Sequence, residues 1–364
     1  MGSHRVLILG AGRIGSMVAC LLASSKEYEL DLACRNPSAV ADLVRDLLLD
    51  NVTIHQLDAG DADALAKLML RKRYDAVISA LPFHRNILVA ELAARHAINY
   101  FDLTEDVAVT RRIGEMAEGA DTVFMPQCGL APGFISIVAN DLMRRFTELD
   151  TVKLRVGALP QNSSNALKYS LLWSTEGIIN EYCEPCEAIS GGQPCTLTPL
   201  EGLESLTLDG VIYEAFNTSG GLGTLAQTYS GQVQNLNYRT IRYPGHCQAF
   251  RLLLNDLKLD RDRESLKRLL ENALPSTAQD VVVVYVSVSG KREGRFTEES
   301  YVRKIYPREI NGRVWSAIQV ATAAGLCAVL DIVLSEPALF RGFVCQESIA
   351  LTRFMDSRYG SYYA

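Results

Sequence analysis

The apolar run Val6-Leu7-Ile8-Leu9 leads directly into Gly10-Ala11-Gly12-Arg13-Ile14-Gly15. No other feature restricts the fold of this chain as strongly. Strand, glycine turn and helix in that order form a docking point for a dinucleotide pyrophosphate. Gly10 permits the tight turn, Gly12 lets the backbone approach phosphate, and Gly15 lets the helix pack close to the strand. The helix that follows carries apolar residues at Ile14, Val18, Leu21 and Leu22. Its first turn offers unpaired N–H groups and a partial positive charge to the anion.

The first third of the chain continues the same alternation. Strands are expected at Arg5–Leu9, Glu29–Cys34, Val52–Leu57, Ala76–Ala80, Ile98–Leu103 and Thr122–Met125. Helical patterns lie between them at Ala39–Leu49, Ala62–Leu70, Arg85–Arg95 and Val107–Glu118. Short β-rich runs separated by helices imply a doubly wound (Rossmann) parallel sheet, an α/β fold. Near Cys128-Gly129-Leu130-Ala131-Pro132-Gly133 the character changes. A helical run, Phe134–Phe146, is followed by longer strands such as Val152–Val156 and the β-branched Val281–Val288. Loops are expected at Ser190–Pro194 and Asn217–Thr224, and helices at Leu266–Leu274 and Ile318–Leu334. With 364 residues, two domains are expected. Residues 1–126, joined by C-terminal helices in 316–364, form the dinucleotide-binding domain. Residues 127–315 form an α+β substrate-binding and dimerisation domain.

The formal net charge of −6 argues against a nucleic-acid binder, which needs a basic face. No apolar stretch approaches the length needed to cross a bilayer, and no signal-peptide pattern is read at the start. Met1-Gly2-Ser3-His4 reads as a cloning scar, and a cytoplasmic location is expected. The nine cysteines are odd in number and scattered, as in a reduced protein. Cys183 and Cys186 are spaced C-x-x-C, without a second pair or a nearby histidine, so no metal site is expected.

The second strand ends Leu32-Ala33-Cys34-Arg35-Asn36. A carboxylate at that point would accept the ribose hydroxyls of NAD, whereas Arg35 can pair with a 2′-phosphate and stack on adenine. NADP(H) is therefore favoured, with NAD(H) the alternative, and Asp31 and Glu29 point elsewhere. Asp58 either caps a helix or reaches toward adenine. Ala80, Leu81 and Pro82 close the fourth strand, where the nicotinamide-side ribose is expected.

Further segments carry a resemblance: Tyr100–Thr104, Gly129–Gly133, Gly157–Pro160, Trp173–Tyr182, Phe216–Gly221 and Leu236–His246. In sequence and order they resemble the saccharopine dehydrogenase and lysine 6-dehydrogenase family along nearly the whole chain. Gly157-Ala158 departs from the double glycine expected there. The resemblance implies a two-domain oxidoreductase acting on the C–N bond of an amino-acid derivative, and a homodimer built through the second domain. Hydride transfer gives an imine that water cleaves, or the reverse, reductive amination.

Such chemistry needs a cation for a substrate carboxylate. Arg242 is the first choice because a guanidinium grips a carboxylate bidentately; Lys168 and Arg155 are alternatives. It also needs a proton carrier, for which Asp102 and His246 are the candidates. Dry walls can come from Tyr169, Trp173 and Tyr182, with Cys128 and Gly129 lining the pocket. Each has a plainer role available. Asp102 caps the turn at Thr104, His246 satisfies backbone groups, Arg242 joins a structural ion pair, and the aromatics fill a core. The leading reading is a saccharopine dehydrogenase-like NADP(H) enzyme on a lysine-derived amino acid. The alternatives are a lysine 6-dehydrogenase, a carboxynorspermidine-type polyamine reductase, or a non-catalytic dinucleotide-sensing protein.

Overall fold

A computed structural model describes residues 3–364, so Met1 and Gly2 of the expected cloning scar lie outside the described residues. Two compact units divide the chain. The first comprises residues 1–133, 309–313 and 319–364, and the second residues 134–308 and 314–318.

Six strands of the first unit are β1 (His4–Leu9), β2 (Tyr28–Cys34), β3 (Val52–Gln56), β4 (Ala76–Ser79), β5 (Asn99–Asp102) and β6 (Val123–Met125). With the short strand Gly342–Phe343 they form one parallel sheet. Its order runs from Gly342–Phe343 through β6, β5, β4, β1 and β2 to β3. Helices α1 (Arg13–Ser24), α2 (Ser38–Asp46), α3 (Ala62–Arg71), α4 (Asn86–Arg95) and α5 (Val107–Met116) make the crossovers. Val6, Leu7, Ile8 and Leu9 are all fully buried, as a strand covered on both faces requires. Because β1 lies between β2 and β4, the order reverses beside it. In such sheets ligands bind beyond the carboxyl ends at this switch point.

Asp31 on β2 is buried and serves the sheet rather than a ligand. It takes bonds from Lys72 Nζ at 2.9 Å and the Tyr74 hydroxyl at 3.0 Å, and lies 2.5 Å from His55 Nε2. Burial alone would push its carboxyl up, but the bonds from His55, Lys72 and Tyr74 outweigh that and hold it below the usual range. Glu29 pairs with Arg5.

The boundary between units falls at Gly133, later than the expected 126. The turn after β6 is tied back to the first sheet. The Cys128 N–H donates to the Asp102 carbonyl at 2.9 Å, and Gly129 bridges to Gly133. The expected C-terminal helix is also longer than the sequence reading allowed. It runs Ala317–Ser335, 19 residues, with an 18-residue window of mean hydropathy 2.0, so one stretch does reach bilayer-spanning length. In the fold it is a core helix, with 83% of its apolar window buried. Asp280 accepts from the Ala317 and Ile318 N–H groups at 2.6 and 3.0 Å and so caps its start. Further along, Asp331 accepts from the Tyr28 hydroxyl at 2.6 Å.

The second unit is built on a mixed sheet. Its strands are β7 (Glu148–Pro160), β8 (Cys186–Ser190), β9 (Gln193–Leu197), β10 (Glu204–Leu208), β11 (Val211–Asn217), β12 (Val233–Arg242), β13 (Asp280–Arg292) and β14 (Arg295–Ile305). The main order is β10-β11-β12-β7-β13-β14, with the β8–β9 hairpin joined to β12. The expected loop at Ser190–Pro194 is therefore a hairpin turn, and Pro194 sits in strand β9. Helices α6 (Phe134–Met143), α7 (Thr175–Cys183), α8 (Leu225–Thr228), α9 (His246–Arg251) and α10 (Arg263–Ala273) complete the unit. β7 and β12 run parallel and very close at Gly157, where an added Cβ would stand 2.5 Å from the Ile241 carbonyl oxygen. Ala158, the departure noted above, pairs with Val282 and is accommodated.

Candidate active site

The glycine turn has the geometry its three glycines imply. Gly10 has φ +98°, and a Cβ there would lie 2.6 Å from the Ala80 carbonyl oxygen. At Gly15 a Cβ would sit 1.9 Å from the Gly10 carbonyl oxygen, so turn and helix could not approach. Around Gly12 nothing lies within 4 Å, which leaves open space where a phosphate would come. No side chain caps α1, so its first N–H groups keep their donors for an anion. Ala11, Arg13 and Ile14 complete the turn, and the Arg13 carbonyl accepts from Gln319. Ala80, Leu81 and Pro82 follow β4 at the switch point.

Arg35 is exposed beyond β2 and no protein group pairs with its guanidinium among the described residues, which suits a free phosphate-binding cation. Asp58 resolves as a turn cap. Its Oδ1 accepts from the Gly60 N–H at 2.9 Å, and the adenine role it was given as an alternative has no support in that geometry. These groups fit a dinucleotide carrying a 2′-phosphate.

Asp102 does not fit the role of proton carrier. It is fully buried, and both oxygens are engaged. Oδ1 accepts from the Thr104 and Gln127 N–H groups, each at 2.9 Å; Oδ2 accepts from the Tyr100 hydroxyl at 2.7 Å and the Asn86 amide at 3.1 Å. The carboxylate anchors two loops at the carboxyl edge of the sheet. Burial still raises its carboxyl above the ordinary value. Cys128 and Gly129 belong to the first unit and are buried there. The Cys128 thiol donates to the Met125 carbonyl at 2.9 Å, and burial drives its pKa well above the usual thiol range. Neighbouring Glu105, passed over by sequence reasoning, is half-buried in the loop after β5. Its carboxyl is pushed up to about 7 by burial, with Asp106 and Asp102 adding to the shift.

Within the second unit most of the candidate residues converge. Arg242 ends β12, is 3% exposed, and donates from Nε to the Tyr182 hydroxyl at 2.9 Å and from Nη1 to the Ile241 carbonyl at 2.9 Å. The Tyr169 ring lies 5.3 Å from its guanidinium carbon and the Tyr182 ring 5.9 Å. Among the described residues no carboxylate forms an ion pair with it, though Glu181 attracts it at longer range. Arg155, the alternative cation, shows the contrast. It is 1% exposed and shares the Glu204 carboxylate with Arg239, so it sits in a structural ion-pair cluster.

His246 is also fully buried, and it too fails as a proton carrier. Its Nδ1 lies 2.7 Å from the Leu167 carbonyl and its Nε2 3.0 Å from the Tyr182 hydroxyl. Burial, then the Arg242 charge, lowers its pKa to about 3. Lys168 turns away from the role of carboxylate cation and donates to the Pro244 carbonyl at 2.7 Å. Tyr169 is buried, its hydroxyl lacks a hydrogen bond of good geometry, and the half-buried Trp173 indole stands beside it. The turn residue Gly221 presses on the Tyr238 ring, 2.3 Å from where its Cβ would be. Sequence reasoning missed Glu181, although it adjoins Tyr182 in the Trp173–Tyr182 motif.

Fold and turn together define a dinucleotide-binding α/β protein with a separate mixed-sheet unit that holds a buried arginine hydrogen-bonded to neutral groups. Residues 6–123 match the saccharopine dehydrogenase NADP binding domain and residues 129–353 the saccharopine dehydrogenase C-terminal domain; the chain belongs to this family. Alpha-aminoadipic semialdehyde synthase, mitochondrial, of Bos taurus is 22% identical over 324 residues, covering 84% of this chain and 34% of its own length. The chain spans about a third of the length of the first curated relatives it matches. In fold it is similar to saccharopine dehydrogenase (L-Glu forming) from Saccharomyces cerevisiae, with TM-score 0.75 and 16% identity over 99% of this chain and 98% of that one. Homospermidine synthase from Legionella pneumophila, in complex with NAD, gives TM-score 0.68 and 12% identity over 99% and 89%.

Proposed function

We propose that this chain is an NADP(H)-dependent oxidoreductase acting on the C–N bond of a lysine-derived amino acid, with Arg242 holding a substrate carboxylate. The observation that carries the reading is the buried guanidinium with neutral bonding partners. A charge out of water is costly unless an anion meets it; Glu181 attracts it only at longer range, and a carboxylate-bearing substrate supplies the anion in contact. The Tyr169 hydroxyl is buried with only the Trp173 indole N–H aimed at its oxygen, which leaves its own O–H as a second donor at the same place. A polyamine substrate would call for a net acidic pocket, and the buried Arg242 cation argues against it.

NADP, when bound at the glycine turn, gives or takes the hydride at the carbon bearing nitrogen. The protein's own work is to fix that carbon and to move protons to or from the amine and the water that cleaves the imine. With Asp102 and His246 engaged elsewhere, the proton falls to Glu105. It lies in the loop beyond the carboxyl end of β5, and burial raises its carboxyl to about 7. A homodimer, which the family resemblance implies, is part of the same proposal, and a cytoplasmic location is proposed beside it; sedimentation and cell fractionation are their measurements.

The test is a cofactor-turnover panel on the intact chain: lysine, saccharopine, and 2-oxoglutarate with lysine, each with NADPH or NADP+ and with the NAD pair. Turnover of one of these with the phosphorylated cofactor is the expected outcome. Tight NADPH binding with no turnover of any amine or oxo-acid pair would favour the sensing alternative. Glu105→Gln should lower kcat by about 100-fold while the substrate KM stays within about threefold.

A further inference from the structure

We propose that His246 and Tyr182 form one positioning device that aims Arg242, with His246 held neutral and taking no proton in the reaction. This rests on the reading of Arg242 as the carboxylate clamp. A carbonyl oxygen can only accept, so the Leu167 carbonyl at 2.7 Å fixes the proton of His246 on Nδ1. Nε2 of the neutral ring is then an acceptor, and the Tyr182 O–H at 3.0 Å must donate to it. That leaves the Tyr182 oxygen lone pairs free to accept, and Arg242 Nε–H, which can only donate, is 2.9 Å away. With the ring neutral, each group in the chain therefore has one permitted role. Reversing any link would set two donors or two acceptors against each other.

The surroundings enforce the same order. Phe250 stacks on the His246 ring at 4.6 Å and Phe216 at 6.2 Å, while Tyr169 and Tyr182 lie at 5.4 and 5.9 Å. The charged and titratable groups that face the ring are Arg242 on β12, Tyr182 on α7 and Tyr169 in the segment before α7; Glu181 on α7 acts on Arg242 and both tyrosines. A second positive charge beside Arg242, in a cage of aromatic rings, is disfavoured. With Nε and Nη1 tied, the outer edge of the guanidinium is held in one orientation. Carboxylate binding follows without an ordering cost at Arg242.

The inference also separates His246 from acid–base chemistry. A histidine that served as proton carrier would titrate near neutrality and impose an acid limb on kcat. A positioning histidine changes the substrate KM and leaves the proton step alone.

The experiment has two arms on the intact chain. In the first, nitrogen-labelled histidine NMR follows His246 from about pH 5 to about pH 8. The Nδ1–H tautomer should persist with no titration; a histidine titrating inside that window would overturn the proposal. In the second arm, Tyr182→Phe and His246→Leu are compared with His246→Gln, whose amide oxygen can still accept from Tyr182. The first two should raise the substrate KM about tenfold with kcat and the NADPH KM within about twofold, and His246→Gln should recover most of that loss. A collapse of kcat at unchanged KM would overturn it. If the variants fail to fold, the NMR arm decides. Arg242→Ala separates the two claims: a raised KM there with silent Tyr182→Phe removes only the positioning device, while a silent Arg242→Ala removes the clamp itself.

Discussion

The two ends of the chemistry are built from different materials. At the glycine turn the binding groups are backbone N–H donors, open space at Gly12 and one solvated side chain, Arg35. Around Arg242 they are buried side chains, each oriented by the next. A backbone site is made once local geometry is right. A side-chain site needs its supporting shell, and the same residue types without that shell become structural, as Arg155 with Glu204 shows.

The first way to break the contrast is at Gly15. Gly15→Ala would drive a methyl group to 1.9 Å from the Gly10 carbonyl oxygen, so NADPH binding should fall by about 1000-fold or the first unit should unfold. Gly12→Ala sharpens it, because nothing stands within 4 Å of the new methyl. It should fold with an unchanged melting temperature and still lose NADPH affinity, read by calorimetric titration. Arg35→Asp should move the ratio of kcat/KM for NADPH over NADH toward NADH by about tenfold or more. An unchanged ratio would show the 2′-phosphate is held elsewhere.

Smaller effects separate the units by pH. His246 folds with its pKa depressed from 6.5 to about 3, so between these values the unfolded chain binds more protons. Its contribution to stability is complete above about 6.5 and is lost as pH falls toward 3, with a slope of at most about 1.4 kcal/mol per pH unit. Asp31, also depressed, contributes above the ordinary aspartate value and is lost as pH falls through its folded pKa. Melting temperatures of His246→Gln and Asp31→Asn as a function of pH check the two independently. The histidine variant should flatten the fall that begins near pH 6.5, and the aspartate variant the part at lower pH.

The same contrast explains what was legible in the sequence. Gly10, Gly12 and Gly15 lie within six residues of one another, so their spacing carries their geometry. The doubly wound fold follows from the alternation of β-rich and helical runs around them. Arg242 was readable as a cation of the right kind, but its partner Tyr182 lies 60 residues away, and Tyr182 and His246 are 64 apart. Nothing local says whether His246 holds a proton or a tyrosine. Asp102 misled for a similar reason. Its place at a strand's carboxyl end suits catalysis, yet two of the donors that occupy it are backbone groups of the turns at Thr104 and Gln127, which sequence does not display. The apolar helix Ala317–Ser335 was recognised as buried and read as Ile318–Leu334, one residue short at each end, because the small residues Ala317 and Ser335 carry little of the apolar pattern.

The most direct test is a pair of titrations on the intact Arg242→Ala chain, one with NADPH and one with the carboxylate substrate that the turnover panel identifies. The expected result is an NADPH Kd within about twofold of the unaltered protein and a substrate Kd weakened about 100-fold, the worth of a charge-assisted bidentate contact. Equal substrate affinity in the two proteins would contradict it, because the buried guanidinium would then meet no part of the substrate.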